Sequence, residues 1–205
     1  MAPTAQASRM TGVQRRRRIL DVAADLFAAR GYHSTSVGEI AAAAGITKPV
    51  LYDHFTSKRR LFVELMESIR DELTSRGAAA MSADAPIEVR IRAAVEAFFD
   101  YVEERPAAAR VLLVTPRGEP ELIEATRLVQ SQATATLTAL LLAEPMLLPG
   151  VRNRRRRVEL MTEFLKQGLH GLAEWWADHP DTPKGVLVDA ALDVAWSGLR
   201  SRLAG

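Results

Sequence analysis

The sequence has no cysteine and no long apolar run, and both absences limit what the chain can be. Without cysteine there is no disulfide, no thiolate metal site and no cysteine nucleophile. The longest apolar runs, such as LTALLLA, are far shorter than the about 20 residues that a helix needs to cross a bilayer. The first residues, MAPTAQASRM, lack the apolar core of a signal peptide. We therefore expect a soluble, cytoplasmic protein without a membrane partner.

The motifs of the common enzyme classes are missing too. The sequence contains no HExxH, no P-loop, no GxGxxG and no GxSxG. The four histidines, at positions 33, 54, 170 and 179, show no metal-ligand spacing. We expect neither catalysis, nor a cofactor, nor a metal. An acid–base pair of Glu163 and His170 is the enzymatic alternative, and turnover lost in His170→Ala would support it.

Positive charge is concentrated at the amino end. The 205 residues carry a net charge of +2, but residues 1–60 contain ten basic and four acidic residues, which gives +6. The remaining 17 basic and 21 acidic residues give −4. A basic head on an acidic body favours a polyanionic partner. The alternatives are a solvated basic face and contact with anionic lipid, and the latter requires an apolar face of the first helix open to lipid.

Apolar residues recur at helical spacing along the chain, and no strand-like alternation is sustained. This pattern predicts an all-α protein of about nine helices. Two capping boxes, Thr11 with Gln14 and Ser36 with Glu39, predict the starts of the first two helices. Gly31 and Gly45 are expected to end them.

The pattern divides the chain into a short tail and two domains. Residues 1–10 are expected to be a disordered tail, residues 11–76 a helix-turn-helix domain, and residues 77–205 a larger helical domain. The segment GAAAMSADAP, from Gly77 to Pro86, is predicted to be a loop or a frayed end. The later predicted helices are Ile87–Glu104, Pro106 to about Val114, Pro120–Leu142, Val151–His179 and Pro183–Leu203.

Two short helices joined by a glycine-containing turn, after a longer support helix, are typical of a helix-turn-helix. The second short helix, about Thr47–Phe55, would be the recognition helix, with Val50, Leu51 and Phe55 directed inward. Its outward residues would be Thr47, Lys48, Tyr52, Asp53 and His54. An exposed tyrosine between lysine and histidine suits DNA, because its hydroxyl can bond a phosphate while the ring packs on the sugar.

A run of three cations, Lys58 to Arg60, follows Ser57, which is predicted to cap the next helix. Cations in a first helical turn are disfavoured by roughly 0.3–1 kcal/mol each at low salt. A DNA phosphate bound there would offset that cost, and Arg15–Arg18 repeat the pattern at the first helix. The alternative is that these side chains swing back into solvent, as we consider for Arg16 and Arg59.

The stretch ILDVAADLFAARGYHSTSVGEIAAAAGITKPVLYDHFTSKRRLF resembles the DNA-binding region of the TetR family of bacterial transcriptional regulators, over roughly residues 14–66. The resemblance implies a homodimer that reads a palindromic DNA operator. It also implies a helical carboxyl-terminal domain that binds a small molecule and releases the DNA. Repression is the family default, and ligand-responsive activation is the alternative. The implied DNA-binding residues are Ser36, Thr47, Lys48, Pro49, Tyr52, His54 and Lys58, with Lys48 and His54 as base readers.

The pattern of the second domain gives candidates for a pocket and a dimer interface. A pocket among the fifth, seventh and eighth helices would be mostly apolar and suit a hydrophobic effector. Its candidate residues are Phe98, Tyr101, Val102, Val129, Ala133, Phe164, Gln167 and His170. Glycine inside a helix costs about 1 kcal/mol relative to alanine, and close helix–helix approach is a reason to tolerate it. The candidate interface residues are Gly168, Gly171, Trp175, Ala195, Gly198 and Leu199. A close contact within the subunit is the alternative.

Overall fold

The computed structural model describes residues 10–113, 120–144, 148 and 150–203, and the side chains of these except 121 and 195–203. The described residues form nine helices and contain no strand, which confirms the predicted all-α class. The helices are α1 (Gly12–Arg30), α2 (Val37–Ala43), α3 (Lys48–His54), α4 (Lys58–Met81), α5 (Ile87–Glu104), α6 (Pro106–Leu113), α7 (Pro120–Leu142), α8 (Arg154–Asp178) and α9 (Lys184–Leu203). Most of the predicted tail lies outside the described residues.

The chain divides into two compact units, Met1–Leu65 and Met66–Gly205. The division falls within α4, so that helix contributes to both units. The domain boundary predicted from the sequence, after Arg76, falls within the same helix. Within the described ranges, no helix combines the length and the hydropathy that crossing a membrane requires.

Both predicted capping boxes are present in the first unit. Thr11 Oγ1 accepts a hydrogen bond from the Gln14 backbone N–H at 3.2 Å, and Gln14 Oε1 accepts one from the Thr11 N–H at 2.9 Å. Ser36 and Glu39 make the same reciprocal pair at 3.2 and 2.8 Å. The backbone N–H of Ser36 is the main reason that the pKa of Glu39 is lowered. These pairs fix where α1 and α2 begin.

The core of the first unit joins its four helices. Its fully buried side chains include Ile19 of α1, Ile40 of α2, Leu51 of α3 and Leu61 of α4. Gly45, with φ +71°, makes the turn between α2 and α3, in a conformation that favours glycine. The short helices are therefore held by packing as well as by their caps.

The core of the second unit joins α5, α8 and α9. Phe99, Ala173, Leu187 and Val188 form its buried centre. Trp176 packs edge-on against Phe99, with ring centroids 5.9 Å apart. Two ion pairs link α5 to α9 at the surface, Lys184 Nζ to Asp100 Oδ1 at 2.6 Å and Arg92 Nη2 to Asp189 Oδ1 at 2.8 Å.

Two helix boundaries differ from the prediction by more than one residue. The prediction of a loop from Gly77 is wrong at its start, because α4 continues to Met81 and leaves only residues 82–86 between helices. Three alanines, the best helix formers, follow Gly77, and a Cβ at Gly77 would only touch Leu137 Cδ2 at 3.9 Å. Helix α8 begins at Arg154 rather than Val151, because Asn153 before it has a left-handed φ of 59°.

Candidate DNA-binding surface and ligand cavity

The recognition helix α3 presents one polar face and one buried face. Leu51 is buried, as is Phe55 immediately after the helix. On the opposite side Tyr52 keeps 43% of its surface exposed, and Lys48 Nζ lies 6.0 Å from the centre of its ring. His54, which we expected to point outward, is only partly exposed. The exposed face of α3 therefore combines an aromatic ring with a cation and contains no apolar cluster.

The other predicted DNA-binding residues lie in the same unit. Ser36 is exposed at the start of α2, where its hydroxyl already accepts the Glu39 N–H. Thr47 precedes α3 but makes no side-chain cap bond, so its exposed hydroxyl is not used by the helix. Pro49 is exposed in the first turn of α3. Lys58 Nζ lies 4.2 Å from the centre of the Tyr32 ring and 3.5 Å from the His33 carbonyl oxygen.

Two arginines of the run Arg15–Arg18 have structural partners that the sequence did not predict. Arg16 Nη1 donates to the His54 carbonyl oxygen at 2.8 Å, and its guanidinium lies 4.4 Å from the centre of the Phe55 ring. It also pairs with Glu64. The solvent-directed alternative considered for Arg16 is therefore wrong. Arg18 Nε donates to the Ala44 carbonyl oxygen at 3.0 Å, so both arginines bind the carboxyl ends of the two short helices.

The first turn of α4 balances part of its own positive charge. Ser57 Oγ accepts the Arg60 N–H at 3.0 Å, as the prediction of a cap at Ser57 requires. The Arg60 side chain in turn donates to Glu64 Oε1 at 2.7 Å. A carboxylate one turn along the helix thus offsets one of the three cations. The unfavourable interaction of this first turn with the helix dipole is therefore smaller than three unpaired cations would give.

A cavity of about 180 Å³ lies within the second unit. Its wall comes from α4, α5, α6, α7 and α8 and is largely aliphatic. Its apolar lining residues include Leu73, Ile91, Val95, Phe98, Leu112, Val129, Ala133, Leu137, Leu165 and Leu169. Its polar lining residues are Arg70, Thr74, Gln130, Thr162, Lys166 and His170. A wall of this kind suits an apolar ligand with few polar groups.

Four of the residues proposed for a pocket line this cavity, namely Phe98, Val129, Ala133 and His170. The other four lie outside its lining. Tyr101 is buried beneath the Arg76 guanidinium, 5.3 Å from the ring centre, and Val102 packs on the α5–α8–α9 core. Phe164 is 66% exposed on α8, and Gln167 is exposed and donates to Glu163. Helical spacing shows which residues share a face but not which neighbour covers that face.

Lys166 is a charged residue of the cavity wall that the sequence analysis missed. Its side chain is 6% exposed, and its Nζ bonds Thr134 Oγ1 at 2.8 Å, Glu163 Oε2 at 2.9 Å and the Gln130 carbonyl oxygen at 3.2 Å. Burial alone would raise the pKa of Glu163, but hydrogen bonds from Gln167, Thr134 and Lys166 lower it to about 2. The spacing of Glu163 and Lys166, three residues apart, is the signal that could have found this pair.

His170 lies one turn after Lys166 and is neutral at physiological pH. Burial and then the nearby Lys166 charge lower the pKa of His170 to about 4, although Glu163 acts in the opposite direction. Its ring stacks on Phe98, with centroids 5.9 Å apart and an interplanar angle of 18°. The imidazole therefore contributes a polar but uncharged edge to the cavity.

One face of α8 points away from the cavity and is exposed. Leu160, Phe164, Gly168, Gly171 and Trp175 repeat at intervals of three or four residues and are all exposed. We call these five residues the α8 outer face. A Cβ built at Gly168 or at Gly171 meets no atom of the described residues within 4 Å, so these residues make no close contact that would require glycine there. The side chains of the other predicted interface residues, Ala195, Gly198 and Leu199, lie outside those described.

Sequence comparison assigns the chain to a family. Residues 19–65 match the bacterial regulatory proteins of the tetR family. The HTH-type transcriptional activator FasR of Mycolicibacterium smegmatis is 31% identical over 196 residues, which cover 95% of this chain and 87% of that protein. The chain belongs to the TetR family of transcriptional regulators. The HTH-type transcriptional repressor KstR2 of Rhodococcus jostii is 48% identical, but over 59 residues that cover 29% of each chain.

Solved structures of bacterial transcriptional regulators share the fold. PfmR from Thermus thermophilus superposes with a TM-score of 0.64 at 28% identity, over 89% of this chain and 97% of that one. FadR from Bacillus subtilis, solved with stearoyl-CoA, superposes with a TM-score of 0.73 at 17% identity, over 89% of this chain and 97% of its own. This TetR-family chain therefore has the helix-turn-helix and the helical second unit of its relatives.

Proposed function

We propose that this TetR-family protein is a DNA-binding transcriptional regulator that reads a palindromic operator as a homodimer and is released from it by a small molecule. The observation that carries the proposal is the face of α3, where Tyr52 and Lys48 are exposed while Leu51 anchors the helix. Its family consists of regulatory proteins, and the relative that spans nearly the whole chain is a transcriptional activator. Acting on DNA would place the protein in the cytoplasm.

The DNA contacts divide into base readers and phosphate contacts. Lys48 and His54 would reach base edges in the major groove, where a lysine can bond the acceptors of guanine. Pro49 would add apolar contact, for example with a thymine methyl group. Tyr52, Ser36, Thr47 and Lys58 would bind the backbone, which sets position but carries no sequence information. Arg16 and Arg18 would act indirectly, because they fix the ends of α3 and α2.

The α8 outer face would form the dimer interface together with α9. Phe164 and Trp175 are large exposed apolar residues of α8, and Val186 and Val194 are exposed on α9. Gly168 and Gly171 have open space above them, where a partner helix could approach closely. A two-fold interface of this kind would place two recognition helices one helical turn of DNA apart, about 34–36 Å.

The cavity of the second unit would bind the effector. Its wall is mostly aliphatic, and its volume of about 180 Å³ suits a small hydrophobic molecule. FadR of Bacillus subtilis shows that a protein of this fold can hold stearoyl-CoA, although its 17% identity does not assign that ligand here. We expect effector binding to weaken the affinity for DNA. With the effector bound, the second unit would favour a conformation of the protein that does not fit the operator.

Repression follows from this scheme when the operator overlaps a promoter. Activation is the second candidate, because FasR, which aligns with 95% of this chain, is an activator, whereas KstR2 of Rhodococcus jostii aligns with 29% of it. Transcription in vitro from a promoter that carries the operator separates the two. A transcript level that falls on adding protein indicates repression, and one that rises indicates activation.

Selection of bound duplexes from a random DNA pool tests the main proposal. We expect a two-fold symmetric motif, because each subunit of a homodimer reads one half-site. Tyr52→Ala protein should enrich this motif weakly or not at all. A motif without symmetry would contradict the homodimer, and the absence of any enrichment at low salt would contradict DNA reading by α3.

A further inference from the structure

We propose that the effector is an apolar molecule with one uncharged hydrogen-bonding group, such as a hydroxyl or a carbonyl, which binds the His170 imidazole and the Gln130 side-chain amide. This inference rests on the proposed role of the cavity as the effector site. Beyond that role, the two side chains hold the polar end of the ligand, and this end carries no charge.

His170 is the first basis for the proposal. Its imidazole lines the cavity, and none of the described residues is a hydrogen-bond partner for either ring nitrogen. The stack on Phe98 occupies the face of the ring and leaves its polar edge for other contacts. A ligand group that bonds the imidazole would add a hydrogen bond that the described residues do not supply. A neutral imidazole offers one donor and one acceptor, which a hydroxyl matches.

Gln130 supplies the second polar side chain. It lines the same cavity from α7, and no described residue bonds its side-chain amide. Its backbone carbonyl oxygen accepts from Lys166 Nζ at 3.2 Å, and Lys166 lies one helical turn before His170 on α8. Gln130 and His170 thus lie on facing helices beside the same lysine. Both residues therefore belong to the part of the wall next to Lys166.

The charged residues of the wall already have partners, and this is why we infer an uncharged ligand. Lys166 Nζ makes three bonds, to Glu163, Thr134 and Gln130, which use all three of its donors. The Arg70 guanidinium bonds Asp71 at 2.7 Å and also Gln132. An anionic ligand at Lys166 would have to displace Glu163, and at Arg70 it would meet a guanidinium already paired with Asp71. An uncharged group pairs with His170 and Gln130 and leaves both ion pairs intact.

Titration calorimetry on the full chain, with three ligands that share a phenylbutyl group, tests the inference. They are butylbenzene, which has no polar group, 4-phenylbutan-1-ol, which has an uncharged one, and 4-phenylbutanoate, which has an anionic one. The variants are His170→Phe, Gln130→Leu and Lys166→Met, and His179→Phe is the matched control because His179 lies outside the cavity lining. We expect His170→Phe to raise the Kd of the alcohol by about tenfold, as the loss of one hydrogen bond predicts. Gln130→Leu should act in the same direction.

Butylbenzene binding tells a lost hydrogen bond from a damaged fold. We expect its Kd to be unchanged or lower in His170→Phe, and we expect His179→Phe to bind all three ligands like the wild type. If His170→Phe binds the alcohol as well as the wild type does, the inference is overturned while the cavity remains the effector site. Tighter binding of the anion than of the alcohol, lost in Lys166→Met but kept in His170→Phe, also overturns it. If the wild type binds none of the three ligands, both this inference and the proposed effector site are contradicted, whereas DNA binding is not.

Discussion

Arg16 Nη1 donates a hydrogen bond of 2.8 Å to the carbonyl oxygen of His54, the last residue of the recognition helix. The contact joins the start of α1 to the end of α3, 38 residues later in the chain. Arg16 also pairs with Glu64 and covers the ring of Phe55. One side chain therefore ties three helices of the first unit together, and a cation that the sequence analysis considered as directed to solvent has a positioning role.

Replacing Arg16 tests this positioning role. We expect Arg16→Ala to lower the free energy of unfolding by about 1–2 kcal/mol, because a charge-assisted hydrogen bond and the packing on Phe55 are lost. The matched control is Arg17→Ala, which removes the same charge from an exposed neighbouring position and should change stability by less than about 0.5 kcal/mol. Urea unfolding measures both. Equal effects of the two substitutions would contradict the positioning role.

Tyr52 is predicted to contribute to DNA binding without contributing to folding. Because 43% of its surface is exposed, Tyr52→Ala should change the free energy of unfolding by less than about 0.5 kcal/mol. It should weaken the affinity for the selected operator by about tenfold, because both the phosphate hydrogen bond and the sugar contact are lost. Tyr52→Phe keeps the ring and should therefore lose less affinity for the operator than Tyr52→Ala does. Fluorescence anisotropy gives the affinities, and an unchanged Kd for Tyr52→Ala would show that α3 does not contact DNA through this residue.

The lowered pKa of His170 predicts that the free energy of unfolding depends on pH. Its pKa is about 4 in the folded protein, against an ordinary histidine pKa of 6.5, so the unfolded chain binds more protons between these values. Stability should therefore rise with pH through this window and be lost as the pH falls from about 6.5 to about 4. The contribution is at most about 3 kcal/mol, since one pKa unit corresponds to about 1.36 kcal/mol.

A substitution isolates this contribution from the carboxylates that titrate at lower pH. His170→Gln cannot be protonated, so its stability should fall less than that of the wild type between pH 6.5 and 4. Thermal or urea unfolding at a series of pH values measures the difference. Parallel curves for the wild type and His170→Gln would mean that the pKa of His170 is not lowered by folding.

The α8 outer face predicts an effect on assembly. Phe164 is 66% exposed in the subunit, so Phe164→Glu should leave the subunit folded but place a charge in the proposed interface and shift the protein toward monomer. The matched control is Leu128→Glu, which places the same charge at a 58% exposed apolar residue of α7. Sedimentation velocity measures the oligomeric state of both variants. A Phe164→Glu protein that remains as dimeric as the control would place the interface elsewhere.

Local signals in the sequence were sufficient to predict the helices and the helix-turn-helix. The capping boxes at Thr11 and Ser36 and the bounds of α5 and α7 agree with the structure, because caps, prolines and apolar spacing act over a few residues. The contacts of Arg16 and Arg18 were not predictable, because four consecutive arginines look alike until their partners are known. The spacing of Lys166 from Glu163 signals an ion pair, but its burial was not predictable, because it depends on contacts with Gln130 and Thr134 of α7. The loop predicted from Gly77 failed because glycine there continues a helix through three alanines.

The salt dependence of operator binding tests DNA recognition by the first unit, because it reports the phosphates that the protein neutralises. Fluorescence anisotropy with the selected duplex and a scrambled one, over a range of salt concentrations, would compare the wild type with Lys58→Ala and with Arg155→Ala, an exposed arginine of the second unit. We predict preferential binding of the selected duplex, and a salt slope that falls by about one in Lys58→Ala but not in Arg155→Ala. Failure of the wild type to bind any duplex at low salt would contradict the proposal that this protein binds DNA.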